Sequence, residues 1–152
     1  MNLIDLHEKT KKIKNDVVIN RAIDNTLDSL VEVNRLRMNE GIKADGSYMP
    51  IYSFISQTVY GYPNSPIKLL ATGAFQAAML AKRSGAFIIV DSEDSKTEML
   101  IQRYGEEILG LTAKHYYNKN LSDEFKNQYL EDDLQPEIVQ QFKIEMGLAS
   151  VV

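Results

Sequence analysis

Thr72-Gly73-Ala74-Phe75-Gln76-Ala77-Ala78-Met79-Leu80-Ala81-Lys82-Arg83-Ser84-Gly85-Ala86-Phe87-Ile88-Ile89-Val90 is the stretch that decides the fold class. Its end, Ala86–Val90, is the strongest strand signal in the chain, because β-branched and aromatic side chains fit a pleated surface best. Arg83-Ser84-Gly85 has the composition of a turn. Phe75–Lys82 then runs extended after the Thr72-Gly73 turn, with one helical turn at its start, and gives Ile88 and Val90 a pairing partner. Ala, Met, Gln and Leu also favour helix, so a short helix over Ala74–Ala81 is the alternative. Residues 67–92 are accordingly expected to form a β-hairpin. Set among helical segments, that hairpin makes the chain α+β.

Upstream, residues 6–38 contain neither Gly nor Pro. Ile19, Ile23, Leu27 and Leu30 recur at helical steps, and Val17, Val31, Val33 and Leu36 widen the stripe. Lys14, Asp16, Asp24, Asp28, Glu32 and Arg37 fill much of the opposite side. The pattern predicts a long N-terminal amphipathic helix, whole or in two pieces, packed on the small antiparallel sheet or on a neighbouring subunit. Gly41 is placed to end it.

Between helix and hairpin, residues 41–66 change character. Ala44-Asp45-Gly46-Ser47 is one turn signal, and Gly61, Pro63, Asn64, Ser65 and Pro66 form another. Tyr48, Tyr52, Phe54, Tyr60 and Tyr62 lie between them. An aromatic loop with little regular structure is expected here, with a short strand near Ile51–Ile55. Loops of this length commonly carry function or are ordered by a partner.

Downstream, Ser95-Lys96-Thr97-Glu98 matches a capping box and begins a short helix through Met99, Leu100, Ile101 and Tyr104, with Gly105 as its stop. Ile108, Leu109 and Leu111 are expected as buried anchors of the following turn. Ser122-Asp123-Glu124 caps a further helix with Phe125, Tyr129 and Leu130. Pro136 starts a last helix with Ile138, Phe142 and Met146 on one face and Gly147 at its end. Residues 1–120 read as the core domain, and 121–152 as a helical, acidic C-terminal extension.

The 152 residues include 17 Lys+Arg, 21 Asp+Glu, two His and no Cys, for a net charge of −4. Without cysteine there is no disulfide, thiolate nucleophile or Cys-ligated metal. The charge gives no support to general nucleic-acid binding. It is also uneven: residues 121–145 hold seven acids against two lysines, a net of −5, and residues 1–120 sum to +1. The start lacks a cationic stretch followed by an apolar one, and no apolar run approaches the ~20 residues of a spanning helix, so neither secretion nor membrane insertion is expected.

Candidate chemistry is sparse. Asp91, Glu93 and Asp94 follow the best strand and could hold a divalent cation for a small metal-dependent hydrolase, but Asp and Ser in that place more often form a turn that caps the next helix. Glu106 and Glu107 are chain neighbours, a poor arrangement for an acid–base pair. His115 could serve as a general base, yet no nucleophile motif surrounds it. Lys9, Lys11, Lys12 and Lys14 could touch phosphates in a regulatory or nucleic-acid-binding module, although a solvated helix face is the plainer reading. No phosphate loop, G-x-S-x-G or H-E-x-x-H occurs. No catalytic residue, metal or cofactor is expected.

The order of elements, with Leu69, Leu70, Thr72, Gly73 and Phe75 as a Leu-x-x-Thr-Gly-x-Phe-like turn before the hairpin, resembles small virion proteins of tailed bacteriophages. The likeness is in particular to the tail-completion or neck (head–tail joining) type. Tyr104-Gly105 through Gly110-Leu111-Thr112 is similar to structural proteins of phages infecting Bacteroides-type hosts. The likeness spans roughly residues 10–115. It implies a non-catalytic, ring-forming homo-oligomer that joins portal, neck or tail proteins in a virion assembled in the host cytoplasm, with Tyr48, Tyr52, Phe54, Tyr60 and Tyr62 as the expected contact surface. No membrane and no specific nucleic acid are expected as partners.

Overall fold

The computed structural model describes residues 3–85, 87–110 and 128–148. Seven helices and one two-stranded antiparallel sheet make the chain α+β among these residues. The single long N-terminal helix is not formed. Its residues divide into α1 (Leu3–Lys12), α2 (Asn15–Asn25) and α3 (Leu27–Asn39). The first break falls at Lys14, whose backbone is extended at φ −88° and ψ 106°. The second falls at Thr26, where the side-chain hydroxyl bonds back to the carbonyls of Ala22 and Ile23 and to the Tyr129 hydroxyl at 2.9 Å. A β-branched residue that satisfies its hydroxyl this way competes with the helix ladder and bends it.

The buried face follows the predicted stripe at Leu30, Val31 and Val33 but is one residue out of register before them: Val18, Ala22 and Thr26 are buried, whereas Val17 and Ile19, like Leu36 further on, are each 40% exposed. The small side chains of Val18 and Ala22 let a neighbouring helix approach α2 closely. That neighbour is α7 (Gln135–Glu145), which begins with Pro136 in its first turn as the sequence predicts. Arg21 is paired with Glu145, and Asn25 donates to Glu137 at 2.7 Å, so the two helices run antiparallel. A π-helical turn, Tyr129–Leu134, leads into α7 and buries Tyr129 against Leu30 and Val33. Burial pushes the Tyr129 hydroxyl pKa up, and its bond to Thr26 opposes this.

The predicted hairpin forms, but its first strand begins at Met79 rather than Phe75 and takes in Arg83 and Ser84, which were expected in the turn. β1 (Met79–Ser84) and β2 (Phe87–Ser92) pair antiparallel, with Ala81 opposite Val90 and Arg83 opposite Ile88. The single helical turn expected before it is α5 (Ala74–Ala77). Met79, Ala81, Val90 and Ser92 share one face by strand alternation, and α3 lies across it. There Val31, Met38, Met49, Phe75, Met79 and Ile108 form the main core cluster. Arg83 holds Asp24 of α2 in a two-pronged ion pair at 2.8 and 3.0 Å. The hydrogen bond from Arg83 lowers the Asp24 pKa below 3.8. A carboxyl depressed on folding adds stability above its unfolded pKa, and that contribution disappears as pH falls through the folded value. In Arg83→Ala, the Asp24 carboxyl should titrate back near 3.8 by NMR, with stability at neutral pH little changed because the pair is largely solvated.

Arg37 lies at the centre of the fold with no exposed surface. Its guanidinium donates to the carbonyls of Ile42 at 2.5 Å and Ile108 at 2.9 Å, and to Asn34 Oδ1 at 3.1 Å. Burial pulls its pKa down to about 10, with the charge of Asp45 opposing, so it remains a cation at neutral pH. One side chain thus joins α3, the chain leaving it and the 3-10 turn Glu106–Ile108.

Gly41 ends α3 as expected. Its amide bonds to Met38 and that of Ile42 to Arg37, the paired closure of a helix that turns left-handed at glycine. A Cβ at this residue would meet Pro66 Cβ at 2.5 Å. Gly41→Ala should therefore destabilise by at least ~2 kcal/mol, from a left-handed backbone and a displaced Pro66. A lower urea midpoint at unchanged slope would show it. The capping box is replaced in practice: α6 (Thr97–Tyr104) is preceded by Asp94, whose carboxylate accepts from Lys96 N at 2.8 Å, while Ser95 makes no cap. The expected helix at Ser122, Leu111, and the 120/121 domain boundary lie outside the described residues.

Candidate interaction face

The aromatic segment is more ordered than its composition suggests. Ile42 bridges to Tyr48 and Ile51 to Pro66, which ties the two limbs of the 41–66 excursion together. The strand expected near Ile51–Ile55 is replaced by that single bridge and by a helix, α4 (Phe54–Tyr60). Ser53 caps α4 by accepting from the Ser56 amide at 3.2 Å, and Gly61 ends it at φ 69°. Tyr52 and Tyr62 stack at its base, with ring centroids 4.6 Å apart and planes 11° from parallel. Gln57 Nε2 donates to the Tyr52 carbonyl at 2.6 Å and fixes the helix on that pair.

α4 turns its apolar side outward. Phe54 is 78% exposed, Ile55 64%, Val59 67% and Tyr60 72%. Phe54, Ile55 and Val59 occupy one side by helical spacing. Residues 46–67 contain no Asp, Glu, Lys, Arg or His, so nothing charged interrupts the face within the segment. Beside α4 lies an open groove of about 510 Å³ lined by Ile51, Tyr52, Tyr62, Leu70, Leu100 and Tyr104 among others. Arg103 stands at this groove with its guanidinium 5.4 Å from the Tyr104 ring. Leu69, also on the groove, adopts a left-handed backbone at φ 53°. Leucine reaches that conformation only where its surroundings force it, and Leu69 packs against the main core cluster.

The five predicted contact residues separate into two roles. Phe54 and Tyr60, together with Tyr48, are exposed; Tyr52 and Tyr62 are half-buried and support α4 from below. Sequence reasoning missed Ile51, Ile55, Val59 and Leu70, because it selected aromatics and read the segment as loop. The signal that could have found them is the Ser53-x-x-Ser56 cap followed by Gly61, which frames a short helix with three apolar residues on one side.

The alternative chemical candidates do not assemble. Asp91 accepts from its neighbour Ser92 N at 2.8 Å and Asp94 from Lys96 N, so both carboxylates support the local backbone. Among the described residues, no three His, Asp or Glu side chains converge on a common point. Glu106 and Glu107 sit together in the 3-10 turn, His7 is exposed, and His115 lies outside the described residues. Lys9, Lys12 and Lys14 do come together, joined by Arg21, around a second groove at the start of α2. Among the described residues no helix is long and apolar enough to cross a membrane. Comparison with family models, with curated proteins and with solved structures finds no match to this chain.

Proposed function

We propose that the chain is a non-catalytic structural subunit of a virus particle, of the tail-completion or neck type. In this reading copies form a ring at the head–tail junction or on the tail and join the neighbouring particle proteins. The observation that carries it is the uncharged, outward face of α4. Interface cores are depleted of charge and enriched in Tyr and Phe, which describes residues 46–67. Seven side chains here (Tyr48, Ile51, Phe54, Ile55, Val59, Tyr60 and Leu70) are 45–78% exposed. Taking each full side chain at ~150–250 Å², they leave on the order of 800 Å² of apolar surface in water, about one partner's share of a standard interface. A soluble monomer rarely carries that much. The resemblance supplies the setting, and two of the residues that carry it, Leu69 and Leu70, line the groove beside α4.

Sedimentation velocity and negative-stain imaging of the purified protein should show ring-sized assemblies, and purified particles should contain the protein in fixed stoichiometry. A protein that is strictly monomeric and absent from particles would sink the reading.

A further inference from the structure

The second groove has a composition unlike the first. Lys9, Lys12, Lys14 and Arg21 surround about 360 Å³ whose floor is Ile13, Val17 and Val18. Its single carboxylate, Glu145, is already paired with Arg21, and Lys9 donates to the Met146 carbonyl at 3.0 Å. Lys12 and Lys14 are exposed and enter no ion pair among the described residues. A ligand for this groove must be anionic at its edge and apolar within. The chain itself carries such a surface. In the π-helical turn, Glu131 and Asp132 are exposed, Asp133 is half-buried, and Leu130 beside them is 36% exposed. None of these three carboxylates is in an ion pair among the described residues.

The two surfaces cannot meet within one molecule. Glu145 and Met146 place the groove at the C-terminal end of α7, and the acidic turn enters its N-terminal end. Eleven residues of helix hold them ~15 Å apart. We propose that the groove receives the Glu131–Asp133 turn of a second copy, so that subunits add head to tail along the α2–α7 direction. Such a contact uses different patches on the two partners and propagates from subunit to subunit, closing or not according to the rotation at each step. It rests on the reading of the chain as an assembly subunit, but it uses a face remote in sequence and opposite in chemistry from α4. An apolar contact at α4 persists in salt, whereas this one weakens as salt screens its charges.

Sedimentation velocity on the full chain tests it by charge exchange. Wild-type self-association through this contact should weaken at least tenfold between ~0.05 and ~0.5 M NaCl. Lys12→Glu with Lys14→Glu, and separately Glu131→Lys with Asp132→Lys, should each lose it at low salt. An equimolar mixture of the two should regain it as alternating chains, because each reversed groove then meets a reversed turn and each intact groove an intact turn. Glu131→Gln with Asp132→Asn should weaken self-association, and mixed with the reversed groove it should give pairs, joined by its own intact groove and the other variant's intact turn, but no longer chains; thermal melts check that each variant folds. Variants that associate alone as tightly as wild type, or a mixture that fails to recover, would overturn the proposal. So would a wild-type protein that stays monomeric yet binds a single-stranded oligonucleotide through the groove. If the exchange fails while α4 variants still lose incorporation into particles, the head-to-tail contact falls and the structural-subunit reading stands.

Discussion

Arg37→Ala should cost about 3–5 kcal/mol, a large share of the 5–15 kcal/mol that holds an ordinary domain folded. Three acceptors lose their donor at once: the carbonyls of Ile42 and Ile108 and the Asn34 side chain. Hydrogen bonds to a charged donor are worth more than neutral ones, and an acceptor left dry and unpaired bears its full desolvation cost. The deletion also empties the space of a large side chain that has no contact with solvent. Arg37→Met restores most of the volume and none of the donors, while Arg37→Lys keeps the charge but lacks the fork that reaches three acceptors. Urea unfolding should rank the four proteins as wild type, Lys, Met and Ala in falling order. An Ala variant within ~1 kcal/mol of wild type would show that the junction is not held by this side chain.

On the surface the largest effect is expected from Phe54→Ser combined with Val59→Ser. Both side chains are more than two-thirds exposed, and neither belongs to a core cluster, so the folded chain should lose no more than ~0.5 kcal/mol. Assembly should respond very differently. Truncating a central aromatic anchor commonly removes 2–4 kcal/mol of binding, and each 1.4 kcal/mol is about tenfold, so association or incorporation into particles should fall roughly 100-fold or more. Tyr52→Ala makes the opposite pattern: it breaks the stack beneath α4 and should lower the melting temperature as well as binding. A double-serine variant that assembles like wild type would remove α4 from the interface.

The strand beginning at Phe87 was legible because its β-branched run has no competing local reading. Ala74–Ala81 was less legible, because its residues suit helix and strand alike, and the structure divides it between a helical turn at Ala74–Ala77 and strand from Met79. The stops at Gly41, Gly105 and Gly147 follow from backbone sterics alone, and all three adopt positive φ. The N-terminal helix misled because apolar residues sit on both sides of its true seam. Ile19 and Ile23 look like better core residues than Val18 and Ala22, and only the close approach of α7 makes the smaller pair the right ones. Arg37 read as a surface charge because no local pattern announces a cation whose acceptors lie five and 71 residues away. In the contact segment, aromatic content pointed to the region and to three of its exposed residues. The helix that presents Phe54 and Tyr60 was hidden by its serines and by its short length.

Among the described residues β1 and β2 pair only with each other, so each strand keeps one edge whose amides and carbonyls have no sheet partner. On β2 that edge runs beside Phe87, Ile88 and Ile89, all exposed, with no charge before Asp91. Such an edge is a template for further strands. The opposite strand carries Lys82 and Arg83, gatekeepers that discourage stacking in register. Arg83 is itself held back toward Asp24, whereas Lys82 is exposed and enters no ion pair among the described residues. Kept dilute or engaged by neighbours, the hairpin stays a minor element. In concentrated, unassembled protein the exposed edge at Phe87–Ile89 is where strand-to-strand aggregation is expected to start.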